Sequence, residues 1–196
     1  MKRYKIAGFP NESAAAYWRI KDPFKYLAKL GHETLTQNGI TKDVVDEADI
    51  YVLQGCVDKA GIACLYEQQQ EKGKKIVVDC DDWLEINDDN PHKKEHEITN
   101  AQEVIRTTME IADLITTTQG HLAGKLKKIN SNVQILPNLM DMSRWDLPKL
   151  KNDSNQIRIG YFGSMTHQND IRMILPVLRK ISKEFPEVIF VTVGDP

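Results

Sequence analysis

The stretch from Lys74 to Trp83 constrains this chain more than any other: Lys-Lys-Ile-Val-Val-Asp-Cys-Asp-Asp-Trp. Two lysines lead into Ile76-Val77-Val78, an apolar, β-branched run without polar alternation. A strand with no polar face is buried on both sides, as in a parallel sheet covered by helices. The run ends in Asp79, Asp81 and Asp82 with an indole beside them. In open α/β sheets ligands collect beyond the carboxyl ends of the strands. Three carboxylates gathered there are costly unless a cation, a helix N-terminus or water offsets them. Asp79, Asp81 and Asp82 are therefore candidate catalytic residues. The alternative is that Asp79 caps the following turn and the other two are solvated.

The rest of the sequence supplies the sheet. Residues 4–9 predict a first strand, and residues 14–30 a helix with Tyr17, Ile20, Phe24, Leu27 and Leu30 at spacings of three and four. Pro23 is expected to kink or divide that helix. Further strands are predicted at 32–36, 49–54, 114–118 and 133–136, and helices at 44–48, 58–72, 92–111 and 119–129. Such alternation predicts an α/β, Rossmann-like doubly wound parallel sheet over residues 1–140, with right-handed crossovers. The first turn, Gly8-Phe9-Pro10-Asn11-Glu12-Ser13, spells no Gly-x-Gly-x-x-Gly, so no dinucleotide is expected there. Residues 141–156 read as a linker. Residues 157–196 then repeat strand, turn, helix and strand, one βαβ unit too small to bury both faces of its own sheet. It is expected to lean on the first domain, to self-associate, or to be a fragment of a longer lobe.

Composition removes several classes of function. With 26 basic and 28 acidic residues the net charge is −2, which gives no electrostatic case for nucleic acid as the principal partner. No apolar run approaches the ~20 residues that cross a bilayer, and the Met-Lys-Arg-Tyr start lacks a signal-peptide core. Cys56, Cys64 and Cys80 are odd in number and show no close metal-ligand spacing, which points to a reducing cytoplasm. His92 and His96 share a helical face and can bind zinc at that spacing, but the order is not His-Glu-x-x-His and no third ligand follows. A solvated, charged helix start is the favoured reading, and no metal site is expected. Trp18, Trp83 and Trp145 read as packing residues, with Trp83 alone placed to stack on a sugar face.

Several pieces, in their order, resemble glycosyltransferases of the GT-B fold, which are built from two Rossmann-like lobes and use nucleotide-sugar donors (the glycosyl transferase group 1 type). Ala15-Ala16-Tyr17-Trp18-Arg19-Ile20, then Pro23 and Leu30-Gly31-His32, is similar to the opening helix of the first lobe. Residues 48–54 and 73–82 resemble its middle strands, and residues 111–116 and 136–141 its last strands and exit. Residues 157–167 and 191–194 resemble the start of the donor lobe. The resemblance implies transfer of a sugar from a nucleotide diphosphate to an acceptor hydroxyl in the cleft between lobes. It implies donor-phosphate binding by backbone N–H groups at Gly163 and Ser164 and by His167, the last being otherwise a solvated turn histidine. Asp82, Asp81 and Asp79 would face the cleft from the other lobe, orienting the acceptor or taking its proton. Arg19 and Trp83 would lie on the acceptor side, although a helical arginine is more often a surface ion-pair partner. The family completes its donor lobe with further strands and helices, so residues 157–196 correspond to a truncated one.

Two rivals stand beside this reading. Val77-Val78-Asp79-Cys80-Asp81 is similar to the nucleophile strand of Mg²⁺-dependent phosphatases of the haloacid-dehalogenase type. There Asp79 would attack phosphorus and Asp81 protonate the leaving group, with Thr116 to Thr118, Lys125 and Gly194-Asp195 as further motifs. Against it, Trp83 stands where that family has a small or β-branched residue, and its motif lies near the chain start. The other rival is a non-catalytic α/β binding or assembly module.

Overall fold

A computed structural model describes residues 2–11, 13–55, 58–83, 85, 88, 93–139, 141–144, 155–163 and 168–194. Six of the apolar runs become strands of one sheet: β1 (Lys5–Phe9), β2 (Glu33–Thr36), β3 (Ile50–Gln54), β4 (Lys75–Cys80), β5 (Leu114–Thr117) and β6 (Val133–Ile135). Their order is β2-β1-β3-β4-β5-β6, and every pairing is parallel. Parallel neighbours cannot be joined by tight turns, so each pair of successive strands is bridged by helix. The bridges are a π-helical turn (Tyr17–Lys21) running into α1 (Asp22–Lys29), then α2 (Lys42–Glu47), α3 (Lys59–Lys72), α4 (Lys93–Thr99) with α5 (Ala101–Ile111), and α6 (Gly120–Leu126). This is a Rossmann-like doubly wound fold. The chain reverses its direction of travel between β1 and β3, which are neighbours in the sheet.

The two faces of the sheet are covered unequally. On one, among the described residues, Ile6, Ile50 and Val52 pack with Ile20 and Phe24 of the first bridge, with Tyr4 and Leu27 at the margin. Phe24 and Ile20 come so close to Gly8 that a Cβ there would stand 2.7 Å from each. On the other face, Ala7, Phe9, Tyr51, Leu53, Ile76, Val78, Cys80 and Ile115 form the main core with Val45, Leu65, Met109, Leu122 and Leu126 from the remaining helices. Alternate residues of β4 serve the two faces: Ile76, Val78 and Cys80 the core, Val77 and Asp79 the thinner side.

At Pro23 the first helical stretch is divided, as expected: the proline sits in the first turn of α1, directly after the π-helical turn. A residue without an N–H costs nothing there. The helix expected over 92–111 is divided at Asn100, whose φ is 54°. Asn is one of the few residues that tolerate this left-handed conformation, and its Nδ2 donates to Glu103 Oε2 at 2.9 Å.

The chain divides into two compact units, Met1–Asp88 with His92–Asp141 and, for the most part, Met142–Pro196. In the second, β7 (Ile157–Phe162) and β8 (Val188–Val193) pair in parallel around α7 (Gln168–Glu184). None of its described residues is buried. The linker expected at 141–156 lies mostly outside the described residues.

Candidate functional site at the carboxyl edge of the sheet

Arg19 and Asp79 meet inside the first unit. The π-helical turn widens the backbone by one residue and turns Arg19 inward, where its side chain keeps 1% of its surface and that of Asp79 2%. The pair is bidentate: Nε donates to Asp79 Oδ2 at 2.9 Å and Nη2 to Oδ1 at 2.7 Å. Thr116 Oγ1, from the neighbouring strand position, donates to the same Oδ1 at 2.6 Å. The remaining guanidinium nitrogen, Nη1, donates to Leu136 O at 2.5 Å and Asn138 Oδ1 at 3.1 Å. One arginine thus ties the first helical bridge, β4, and the segment after β6 together. Both Asp79 oxygens accept hydrogen bonds and the carboxylate is sealed from water, so it is not free to attack phosphorus. The arginine is neither on the surface nor open to an acceptor.

The other two acids differ from it and from each other. Asp82 is exposed. Asp81 is half-buried, and burial pushes its carboxyl above the ordinary aspartate range; Asp79 and Asp82 push it the same way. A hydrogen bond from Gln54 opposes them, Nε2 donating to Asp81 Oδ1 at 3.4 Å. Cys80, between the acids, donates its thiol to Asp82 O at 3.0 Å. Burial, followed by the charges of Asp81 and Asp79, lifts that thiol to about 12, so it stays neutral. Of the three acids, Asp81 has the environment suited to proton exchange: partly desolvated, uncommitted to a cation, and at the strand end.

Trp83 packs against the main core. Lys125 of α6 places its ammonium over the indole ring, 4.5 Å from the centroid. That face of the ring is occupied by a cation, so a stacking sugar would have to displace Lys125. Gln54, which ends β3, is a site residue that the sequence pattern did not single out. The available signal was an amide closing an apolar strand, next to the acids in the parallel register: Gln54 pairs with Asp79.

In the second unit, Gly163 and Gly194 follow β7 and β8 and touch. Gly163 N donates to Val193 O at 3.2 Å. A Cβ at Gly194, whose φ is +106°, would collide with Gly163 O. At Gly163 the space a side chain would take is filled by the Tyr161 ring, 2.5–2.8 Å from where a Cβ would stand. Ser164 and His167 lie outside the described residues.

His92 also lies outside them. His96 lines an open hollow of about 450 Å³ with Glu85, Lys93, Glu97, Asn100, Gln102 and Glu103. Among the described residues no cluster of three His, Cys, Asp or Glu side chains can hold a metal ion. No described helix is long and apolar enough to cross a membrane. Compared with known proteins, the chain matches no family model and no curated protein.

Proposed function

We propose that this chain carries the acceptor-side sheet, and the opening of the donor side, of a cytoplasmic glycosyltransferase that moves a sugar from a nucleotide diphosphate to an acceptor hydroxyl. The observation that carries the reading is the carboxyl edge of β3 and β4. An ion pair removes Asp79 from chemistry there, and Asp81 is left half-buried beside Gln54, with Asp82 exposed at the rim. Asp81 takes the acceptor's proton in this reading, and Asp82 orients the acceptor. The backbone N–H groups at Gly163 and Ser164, with His167, would receive the diphosphate, whose charge grows as the sugar leaves.

The phosphatase rival requires a free carboxylate at Asp79, which Arg19 and Thr116 occupy. The non-catalytic module is favoured by one observation: the second unit has no buried residue among those described.

Melting temperature measured across a panel of nucleotide-diphosphate sugars tests the proposal. Anything that binds the native state alone must raise it, by an amount equivalent to about 2.7 kcal/mol at a hundredfold excess over Kd. One nucleotide class is expected to stand out, and Asp81→Asn to keep that binding while abolishing transfer. No shift with any donor would overturn the reading.

A further inference from the structure

Gln54 is nearly sealed inside the first unit, with 1% of its surface exposed. The two ends of its amide fare differently. Nε2 donates to Asp81 Oδ1, whereas Oε1 has no hydrogen-bond partner. A buried polar atom left unpaired in a native structure asks for a reason. An amide offers one that other side chains do not: one end donates, the other accepts, and the two have almost the same shape. A carboxyl that gains a proton adds an O–H donor to its acceptor oxygens, and that O–H needs an acceptor of its own.

We propose that Gln54 is the positioning residue for Asp81, turning its amide end for end so that the carboxyl keeps a hydrogen bond whether ionised or protonated. In the structure the donating end faces Asp81, the arrangement for the ionised form. When Asp81 takes up a proton, the amide turns, and Oε1 accepts from the new O–H. Whichever way it stands, one end of the amide serves Asp81. A residue able only to donate could not accept from the new O–H, which would be left unpaired towards residue 54. The assignment rests on the reading of Asp81 as the group that receives the acceptor's proton.

Two carboxylates and a thiol surround Asp81. Asp79 is paired with Arg19 from the π-helical turn and held by Thr116 from β5. Asp82 is exposed, and the Cys80 thiol stays neutral. Burial raises Asp81 and the Gln54 bond works against that rise. Removal of the amide has a definite sign in consequence.

The test is an NMR titration of the whole chain from about pH 3 to about pH 9, spanning the aspartate and histidine ranges. It follows the Asp81 carboxyl carbon and the side-chain amide of Gln54. Both are expected to move with one common midpoint, above that of an ordinary aspartate. Asp81→Asn is expected to flatten the Gln54 response, and Gln54→Met, which keeps the volume without the amide, to raise the Asp81 midpoint. Gln54 resonances indifferent to the titration of Asp81, or a midpoint unchanged in Gln54→Met, would overturn the assignment. If Gln54→Met does not fold, the unmutated protein's two resonances decide alone. Coupled titration without any nucleotide-sugar binding supports the role of Gln54 and removes only the proposed function; binding without coupling does the reverse.

Discussion

A guanidinium sealed from water persists only where its donors find acceptors and its charge finds a counter-ion. Arg19 meets both conditions through Asp79, Leu136 O and Asn138. Removing one partner leaves the other charge buried and unpaired. Arg19→Met is therefore expected to destabilise the first unit by roughly 3–5 kcal/mol, read as a lower urea midpoint. The double variant Arg19→Met with Asp79→Leu is expected to recover most of that loss, because an apolar pair of similar volume can replace a buried ion pair. If the double variant is as unstable as the single one, the pair is held by more than charge. Asp81 follows a different rule. Burial raises its carboxyl in the folded state, so the folded chain holds that proton more tightly than the unfolded chain. The stabilisation is complete below the unfolded value of about 3.9 and is lost as pH rises through the higher folded value. Asp81→Asn is accordingly expected to melt higher than the unmodified protein at neutral pH, with the difference vanishing in acid.

At the scale of elements, the first bridge is seated by the absence of a side chain. The β1 glycine, Gly8, leaves room for Ile20 and Phe24, each of which would lie 2.7 Å from a Cβ. Gly8→Ala should force them off their rotamers and cost about 1–3 kcal/mol, visible in chemical denaturation with little change in the slope. Asp113, just before β5, shows how a loop residue fixes the opposite end of the sheet. Burial would raise its carboxyl, but hydrogen bonds from Lys75, the Ile76 N–H and Gln69 outweigh that and hold it low. Its contribution is present above the unfolded aspartate value and lost as pH falls through the folded one. Asp113→Asn is therefore expected to remove part of the protein's sensitivity to acid. The strands were legible because a doubly buried strand writes its environment into consecutive residues, as Ile76 to Val78 do. The break at Asn100 was not, since the left-handed conformation is optional for Asn. Nor was the partnership of Arg19 and Asp79, 60 positions apart in sequence, which only the sheet brings together. Gln54 was hidden for a similar reason. Its neighbour is set by strand order, and strand order is not a local property of the chain.

The two units differ in what holds them. In the first, a parallel sheet is covered by a main core on one face and a smaller cluster on the other. In the second, one helix serves two strands, and large apolar side chains face solvent: Phe162 is 84% exposed, Met173 73% and Val177 58%. A chain segment of about 40 residues seldom buries enough surface to offset its conformational entropy. A polypeptide ending at Arg144 is therefore expected to unfold in a single cooperative transition, because its core is complete within those residues. The segment 155–196 made alone is expected to show no cooperative transition and to bind a dye that reports exposed apolar surface. Circular dichroism against temperature on the two pieces checks both. The comparison also bears on function. If the shorter polypeptide keeps the shared titration of Asp81 and Gln54, the chemistry of the carboxyl edge belongs to the first unit's own architecture, and the second unit is needed for the donor alone. If that titration disappears while the cooperative transition remains, the environment of Asp81 depends on residues beyond Arg144, and the assignment of proton exchange to one sheet edge fails.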